Sequence, residues 1–232
     1  MDDILPSLRA LERATAQMAA LKGHGGILNV SLPASWGNHW LMPRLSMFMN
    51  SHPEISLNVL TRVGAADFSH RQIDAAIEFR TQSRTEMDCE PLMRLELQAY
   101  AAPEWIAARD KQRKPRKSAA LLDSTDMLQH TTLPEAWGQW CVAAHQPALA
   151  PQGPRYDLMF MAMNAAAAGF GAALLPDFLV SPMLASGRLQ AISAHRITAP
   201  GGYFLSRSPL LRSESAFLRF RDWLHAQLPA FD

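Results

Sequence analysis

The spacing of apolar residues along the chain predicts an α/β fold. Apolar runs at 27–32 and 172–175 have the length of buried strands, and the segment 55–60 alternates with period two, as a strand with one exposed face does. Further strands are predicted at 74–79, 95–101 and 203–206. Helical spacing predicts helices at 40–51, about 65–71, 103–108, 136–144, 158–168, 177–186 and 213–228. A loop is predicted at 33–39, and Asp177 is expected to cap the helix at 177–186. Because strands and helices alternate over 27–79, we expect a mainly parallel sheet flanked by helices.

The beginning of the chain has a different pattern. Ile4, Leu8, Leu11, Thr15 and Met18 recur at spacings of four and three, which predicts a helix over about 1–23 that ends at the glycines before residue 27. The pattern fits either a short coiled-coil seam or an amphipathic helix that packs on the body of the protein. Both interpretations remain open.

Composition and charge narrow the class of protein. The 232 residues are 48% hydrophobic and 19% charged, which is enough apolar content for a core, and the net charge of +1 is too small for a nucleic-acid-binding surface. The basic run at 111–117 is expected to be an exposed loop. Two distant cysteines, no secretory signal and no apolar stretch of about 20 residues predict a reduced cytoplasmic protein.

Motifs for catalysis, nucleotide binding or metal binding are not convincing. Gly169-Phe170-Gly171 lacks the third glycine of a dinucleotide fingerprint and follows a helix instead of a strand. Cys141 and His145 are four residues apart on a predicted helix, but no second ligand pair accompanies them, so core packing is the better interpretation. The sequence has no HExxH, GxSxG or P-loop. We therefore expect no enzyme, no cofactor and no metal.

An ordered set of segments resembles the effector-binding domain of LysR-type transcriptional regulators. These segments are LNVSLPAS (28–35), WLMPRL (40–45) with Phe48, HPEI (52–55), QIDAAI (72–77), AAAAGFGAALLP (165–176) and FRDWL (220–224). Each is weak alone, but their order and spacing cover nearly the whole chain. The pattern is most similar to the branch typified by glycine-cleavage activators.

The resemblance implies a two-lobed α/β fold of the type II periplasmic-binding-protein class. Residues 1–23 would be a linker helix, 27–98 with 204–232 the first lobe, and 99–203 the second lobe. It also implies a helix-turn-helix domain in the parent protein, so that DNA would be bound only through a part that this sequence lacks. The helix 40–51 and strand 55–60 would lie against the second lobe of a partner in a homodimer, and the N-terminal helix could extend this to a tetramer.

The predicted ligand site combines this resemblance with the chemistry of helix ends. A helix start presents backbone N–H groups without partners and a positive dipole end, which favours a small anion or polar group at Ser35, Trp36, Gly37 and Asn38. The alternative is that Ser35 or Asn38 merely caps the helix. Parallel sheets bind ligands at the carboxyl ends of their strands, which adds Thr61, Arg62, Phe79 and Arg80, and the second lobe would add Thr131, Asp157 and Leu158.

These residues suit a small organic acid or amino acid between the lobes. Because the sequence places Ser35 in a loop outside the core, Ser35→Trp is expected to fill the site without unfolding the protein. The main hypothesis is a ligand-sensing regulatory domain. The alternatives are a solute-binding receptor of a transport system and an enzyme on the same two-lobed fold.

Overall fold

The computed structural model describes residues 25–62, 64–69, 72–81, 89–112 and 122–228. The predicted N-terminal helix and most of the basic run therefore lie outside the described residues. The chain divides into two compact units, one with the residues up to Met93 and from Gly202 onward, the other with Arg94–Gly201. The predicted lobe bounds at 98/99 and 203/204 fall within two long strands, Cys89–Ala101 and Gln190–Arg207, which each continue from one unit into the other.

The sheet of the first unit is built around β1, Ile27–Leu32. On one side β1 pairs in parallel with β2, Ser56–Thr61, and on the other with β3, Ala75–Arg80. The last part of β8, Gln190–Arg207, then pairs antiparallel with β3, from Ala75 opposite Arg207 to Arg80 opposite Gly202. In β2 the side chains alternate between exposed and half-buried, as the period-two pattern predicted.

One continuous helical segment follows β1, and its start differs from the prediction. It consists of α1, Ala34–Trp36, a π-helical turn, Gly37–Leu41, and α2, Met42–Ser51. The predicted loop at 33–39 is therefore wrong. Pro43 has no N–H to donate within the helix, and Met42 donates instead to the carbonyl of Gly37, five residues back. The π turn thus accommodates Pro43 within the continuous helical segment.

The core of the first unit lies between this segment and the C-terminal helix α7, Glu214–Gln227. Phe48 packs edge-on against Phe220 with ring centroids 5.4 Å apart, and both side chains are fully buried. Ser213 caps α7, because its hydroxyl accepts a hydrogen bond from the N–H of Ala216.

The second unit has its own mixed sheet. β5, Met127–His130, lies between β6, Arg155–Tyr156, and β7, Ala172–Leu175, parallel to both, and β7 pairs antiparallel with β4, Cys89–Ala101. Trp137 and Trp140 are buried together, and the Trp137 indole donates to the carbonyl of Leu128. The helices of this unit are α3, Pro103–Gln112; α4, Ala136–Ala143; α5, Met159–Ala167; and α6, Asp177–Ala185, with a 3-10 turn at Ser124–Asp126.

The structure corrects four further local predictions. Residues 64–69 form no helix, because the side chains of Asp67 and Glu78 take up local backbone N–H groups. Strands β4 and β8 are longer than predicted, and α3 extends to Gln112, into the predicted basic loop. Asp177 does not cap α6. It is the first residue of that helix, and its carboxylate accepts hydrogen bonds from Tyr100 and Arg196.

Candidate functional site

The start of α1 has no side-chain cap. Its N-cap residue is Pro33, and no side chain bonds to the first helical N–H groups there. Ser35 is the second residue of the helix and Asn38 lies in the π turn, so the alternative in which either residue serves as the N-cap is wrong. The backbone N–H groups of Ala34 and Trp36 have no acceptor within the helix, since Gly37 donates the first bond, to Pro33 at 2.9 Å.

Aromatic side chains surround this helix start. Trp36 stacks on Trp40 with centroids 4.5 Å apart, and Tyr203 of β8 lies 6.1 Å from Trp36. Phe79 packs edge-on against Tyr203 at 5.9 Å. Burial raises the pKa of the Tyr203 hydroxyl, so this group stays neutral. Sequence reasoning missed Tyr203 as a site residue because it assigned this tyrosine only to a strand; nothing local links it to Trp36.

The Trp36 indole has an unusual environment. The side chain is fully buried, yet its Nε1–H has no hydrogen-bond partner among the described residues. Ser35 is also buried, at 5% exposure, which contradicts the expectation that it lies outside the core. A tryptophan at position 35 would need space that this helix start does not have, so Ser35→Trp is a poor test of the site.

Arg80, predicted to pair with a ligand carboxylate, is already paired within the first unit. Its Nε and Nη2 atoms donate to Oε2 of Glu78 at 3.1 and 2.7 Å. Glu78 is 6% exposed, and its other oxygen accepts from the N–H of Ala66. Glu78 was missed, although residues two apart on a strand share a face and a Glu-x-Arg pattern could have revealed the pair.

The remaining predicted residues of the first unit lie on its surface. Asn38, Thr61 and Arg62 are exposed, with Thr61 at the end of β2, and the backbone N–H of Arg62 donates to the carbonyl of Leu32 at the end of β1. The chain therefore brings the end of β2 close to the residue that precedes Pro33.

In the second unit the predicted residues follow the ends of β5 and β6. Thr131 and Asp157 are exposed and Leu158 is half-buried, directly before α5. His130 lies between them. Its Nδ1 is 2.8 Å from the Thr132 hydroxyl, and burial lowers its pKa while a hydrogen bond to the Asp157 backbone opposes that shift. His130, which was not predicted as a site residue, thus ties the two strand ends together.

Ion-binding chemistry is not evident in the part of the chain that the structure describes, where no group of three or more His, Cys, Asp or Glu side chains could hold a metal. His145 follows the end of α4 with a φ of 52°, so it does not continue the helix that carries Cys141.

The arrangement of these elements agrees with a comparison against known families, in which the LysR substrate binding domain matches residues 22–229. The chain belongs to this family. The predicted two-lobed, type II periplasmic-binding-protein fold is thereby confirmed, and so is the predicted function: this is the ligand-sensing domain of a LysR-family regulator, and the transport-receptor alternative loses its support.

Relatives of this LysR domain are transcriptional activators. It is 30% identical over 205 residues to the HTH-type transcriptional activator AmpR of Rhodobacter capsulatus, covering 87% of this chain and 66% of that protein. It is 26% identical over 227 residues to the glycine cleavage system transcriptional activator homolog of Haemophilus influenzae, covering 96% and 72%. The chain therefore spans about two thirds to three quarters of these curated relatives.

A solved structure supports the same assignment. The effector domain of the transcriptional regulator AmpR of Pseudomonas aeruginosa superposes on this LysR domain with a TM-score of 0.73 and 29% identity, covering 86% of this chain and 94% of that one. None of the helices described in this LysR domain is both long and apolar enough to cross a bilayer.

Proposed function

We propose that this LysR domain senses a small anionic or zwitterionic metabolite, bound at the start of α1. The observation that supports this most directly is a helix start without a side-chain cap, next to a buried Trp36 N–H without a partner. A ligand oxygen accepts hydrogen bonds from both kinds of donor, and the positive end of the helix dipole favours negative charge there.

Each predicted residue has a proposed role in this site. Ser35, Trp36 and Asn38 supply donors, Gly37, whose N–H is bonded to Pro33, borders the site, and Phe79 and Tyr203 supply an apolar wall. Arg80, held by Glu78, would orient the ligand from the end of β3, and Thr61 and Arg62 from the end of β2. Thr131, Asp157 and Leu158 of the second unit are proposed as further contacts of the ligand.

The proposal extends to the protein of which this domain is part. We infer that the parent controls transcription through DNA bound by a helix-turn-helix domain, acts in the cytoplasm as a homodimer or tetramer, and catalyses no reaction. Support comes from the curated relatives, which are transcriptional activators. The organic acid or amino acid that serves as effector is to be identified by screening.

Thermal shift against a panel of organic acids and amino acids tests the site. A ligand at a hundred times its dissociation constant stabilises the fold by about 2.7 kcal/mol, which raises the melting temperature of a domain of this size by roughly several degrees. Trp36→Phe keeps an aromatic ring but removes the N–H, and should weaken binding of a hit by roughly tenfold. Ser35→Ala, which retains the fold, should also weaken it.

The control is Trp105→Phe on α3 of the second unit, a half-buried tryptophan beneath the Arg109 guanidinium. It should leave the affinity unchanged. A confirmed ligand that binds Trp36→Phe and Ser35→Ala as tightly as the unaltered protein would place the site elsewhere.

A further inference from the structure

A pocket lies on the first unit, and none of its lining residues belongs to α1. It has a volume of about 180 Å³ and lies between the first residues of β4, the last residues of β8 and one face of α7. Leu205 and Phe217 are among its apolar lining residues, and Cys89, Glu90, Arg207 and Arg221 are among its polar ones. The space is comparable to engineered cavities of about 150 Å³ that hold a benzene-sized molecule.

The two arginines of this pocket are paired with carboxylates other than Glu90. The guanidinium of Arg207 is 2.9 Å from Glu214, and that of Arg221 is 2.6 Å from Asp222, which lies outside the lining. Among the described residues, Glu90 therefore has no guanidinium partner at the pocket.

Glu90 has an oxygen that lacks a donor. Its Oε1 is buried and accepts no hydrogen bond within the described part of the chain, although the side chain as a whole is 37% exposed. The nearest cationic group is the imidazole of His225, with Nε2 3.5 Å from this oxygen. That distance is long for a hydrogen bond, and an imidazole is a full cation only when protonated. A buried carboxylate oxygen is costly to leave without a donor.

We propose that this pocket binds a small primary amine with an apolar body, as a second ligand site distinct from the proposed effector site. The ammonium group donates to the carboxylate of Glu90, for which the described part of the chain supplies no guanidinium partner. The apolar body of the ligand lies on Leu205 and Phe217 and is removed from water there. A cation is therefore recognised here, whereas the start of α1 favours an anion.

The rate at which the Cys89 thiol is modified reports on whether this pocket is occupied, because the thiol lines the pocket and is half-buried. Methyl methanethiosulfonate modifies accessible thiols, and the rate at Cys89 can be followed at pH 8 by peptide mass spectrometry. Cys141 is fully buried and reports on unfolding in the same sample. Benzylamine is the probe, with benzyl alcohol as the neutral and benzoate as the anionic analogue.

Benzylamine should slow the modification of Cys89 in a saturable manner, and the two analogues should not. Glu90→Gln, which keeps the shape but removes the charge, should weaken the protection by about tenfold. Glu104→Gln, at an exposed position in the first turn of α3, is the matched control and should change nothing. Ser35→Ala should also leave the protection intact, which separates this site from the one at α1.

Three results would overturn the proposal: no protection by benzylamine at millimolar concentration, equal protection by benzyl alcohol or benzoate, or unchanged protection in Glu90→Gln. Faster modification of Cys141 in Glu90→Gln would show that this variant has lost its fold. In that case Leu218→Trp, which fills the pocket from a half-buried position on α7, replaces it and must abolish the protection.

Discussion

The guanidinium of Arg212 donates two hydrogen bonds to the carboxylate of Asp74, from Nε to Oδ1 at 3.0 Å and from Nη2 to Oδ2 at 2.8 Å. Asp74 is 1% exposed and also accepts from the backbone N–H of Asn29. One side chain therefore joins β1, the entry to β3 and the segment before α7. The first unit is assembled from two distant parts of the sequence, and this pair connects them.

Asp74→Ala should destabilise the protein by about 3 kcal/mol, because it leaves a partly buried guanidinium and a backbone N–H without an acceptor. Urea denaturation followed by circular dichroism measures the change. Asp222→Ala removes an exposed pair with Arg221 and should cost less than about 1 kcal/mol. Equal losses for the two variants would show that the Asp74 pair does not hold the unit together.

Gly171 should not tolerate a side chain. Its φ is 148°, and a Cβ atom there would lie 2.3 Å from the carbonyl oxygen of Asp126. Gly171→Ala should therefore cost about 2 kcal/mol in thermal or urea unfolding. Gly138→Ala is the control: it lies at an exposed position of α4 with open space around it, and should stabilise the protein by roughly 0.5–1 kcal/mol. The prediction fails if both variants shift stability in the same direction.

The stability of the second unit should decline as the pH falls below the usual histidine pKa of 6.5. Burial lowers the pKa of His130 from that value, so the unfolded chain binds a proton at a higher pH than the folded one. The stabilisation is present above pH 6.5 and is lost as pH falls towards the lowered pKa. His130→Gln should reduce the difference between urea midpoints at pH 7.5 and 5.5, and His195→Gln, at an exposed position, should not.

Self-association is predicted through α2 and β2. Met42, Met47 and Met49 of α2 and Leu60 of β2 are exposed apolar side chains on the first unit, and β2 lies at the edge of its sheet. Met47→Lys should shift sedimentation towards monomer at tens of micromolar. Leu210→Lys, which changes an exposed apolar residue outside these elements, should not. A protein that sediments only as monomer before any substitution would rule out this interface.

Periodicity was sufficient for most of the fold. The strands around 27–32, 55–60 and 172–175 and the helices around 136–144 and 213–228 were predicted to within one or two residues, because their apolar spacing reflects which face is buried. The ordered motifs were sufficient for the family. Local pattern failed at 65–69, where Glu78 and Asp67 accept hydrogen bonds from backbone N–H groups, and at 33–39, where a loop was predicted and the chain forms α1 and the first part of the π turn instead.

The sequence by itself determined most element types and the LysR family, and it indicated Ser35–Asn38 as a candidate ligand site. Tertiary structure decided the environment of these residues. Ser35 and Trp36 are buried, Tyr203 lies beside Trp36 although it is 167 residues later in the chain, and Arg80 is paired with Glu78. The physical reason is that burial and pairing depend on which distant segments meet. Apolar spacing reports one face of one element, whereas the pocket beside Glu90 forms only where β4, β8 and α7 meet.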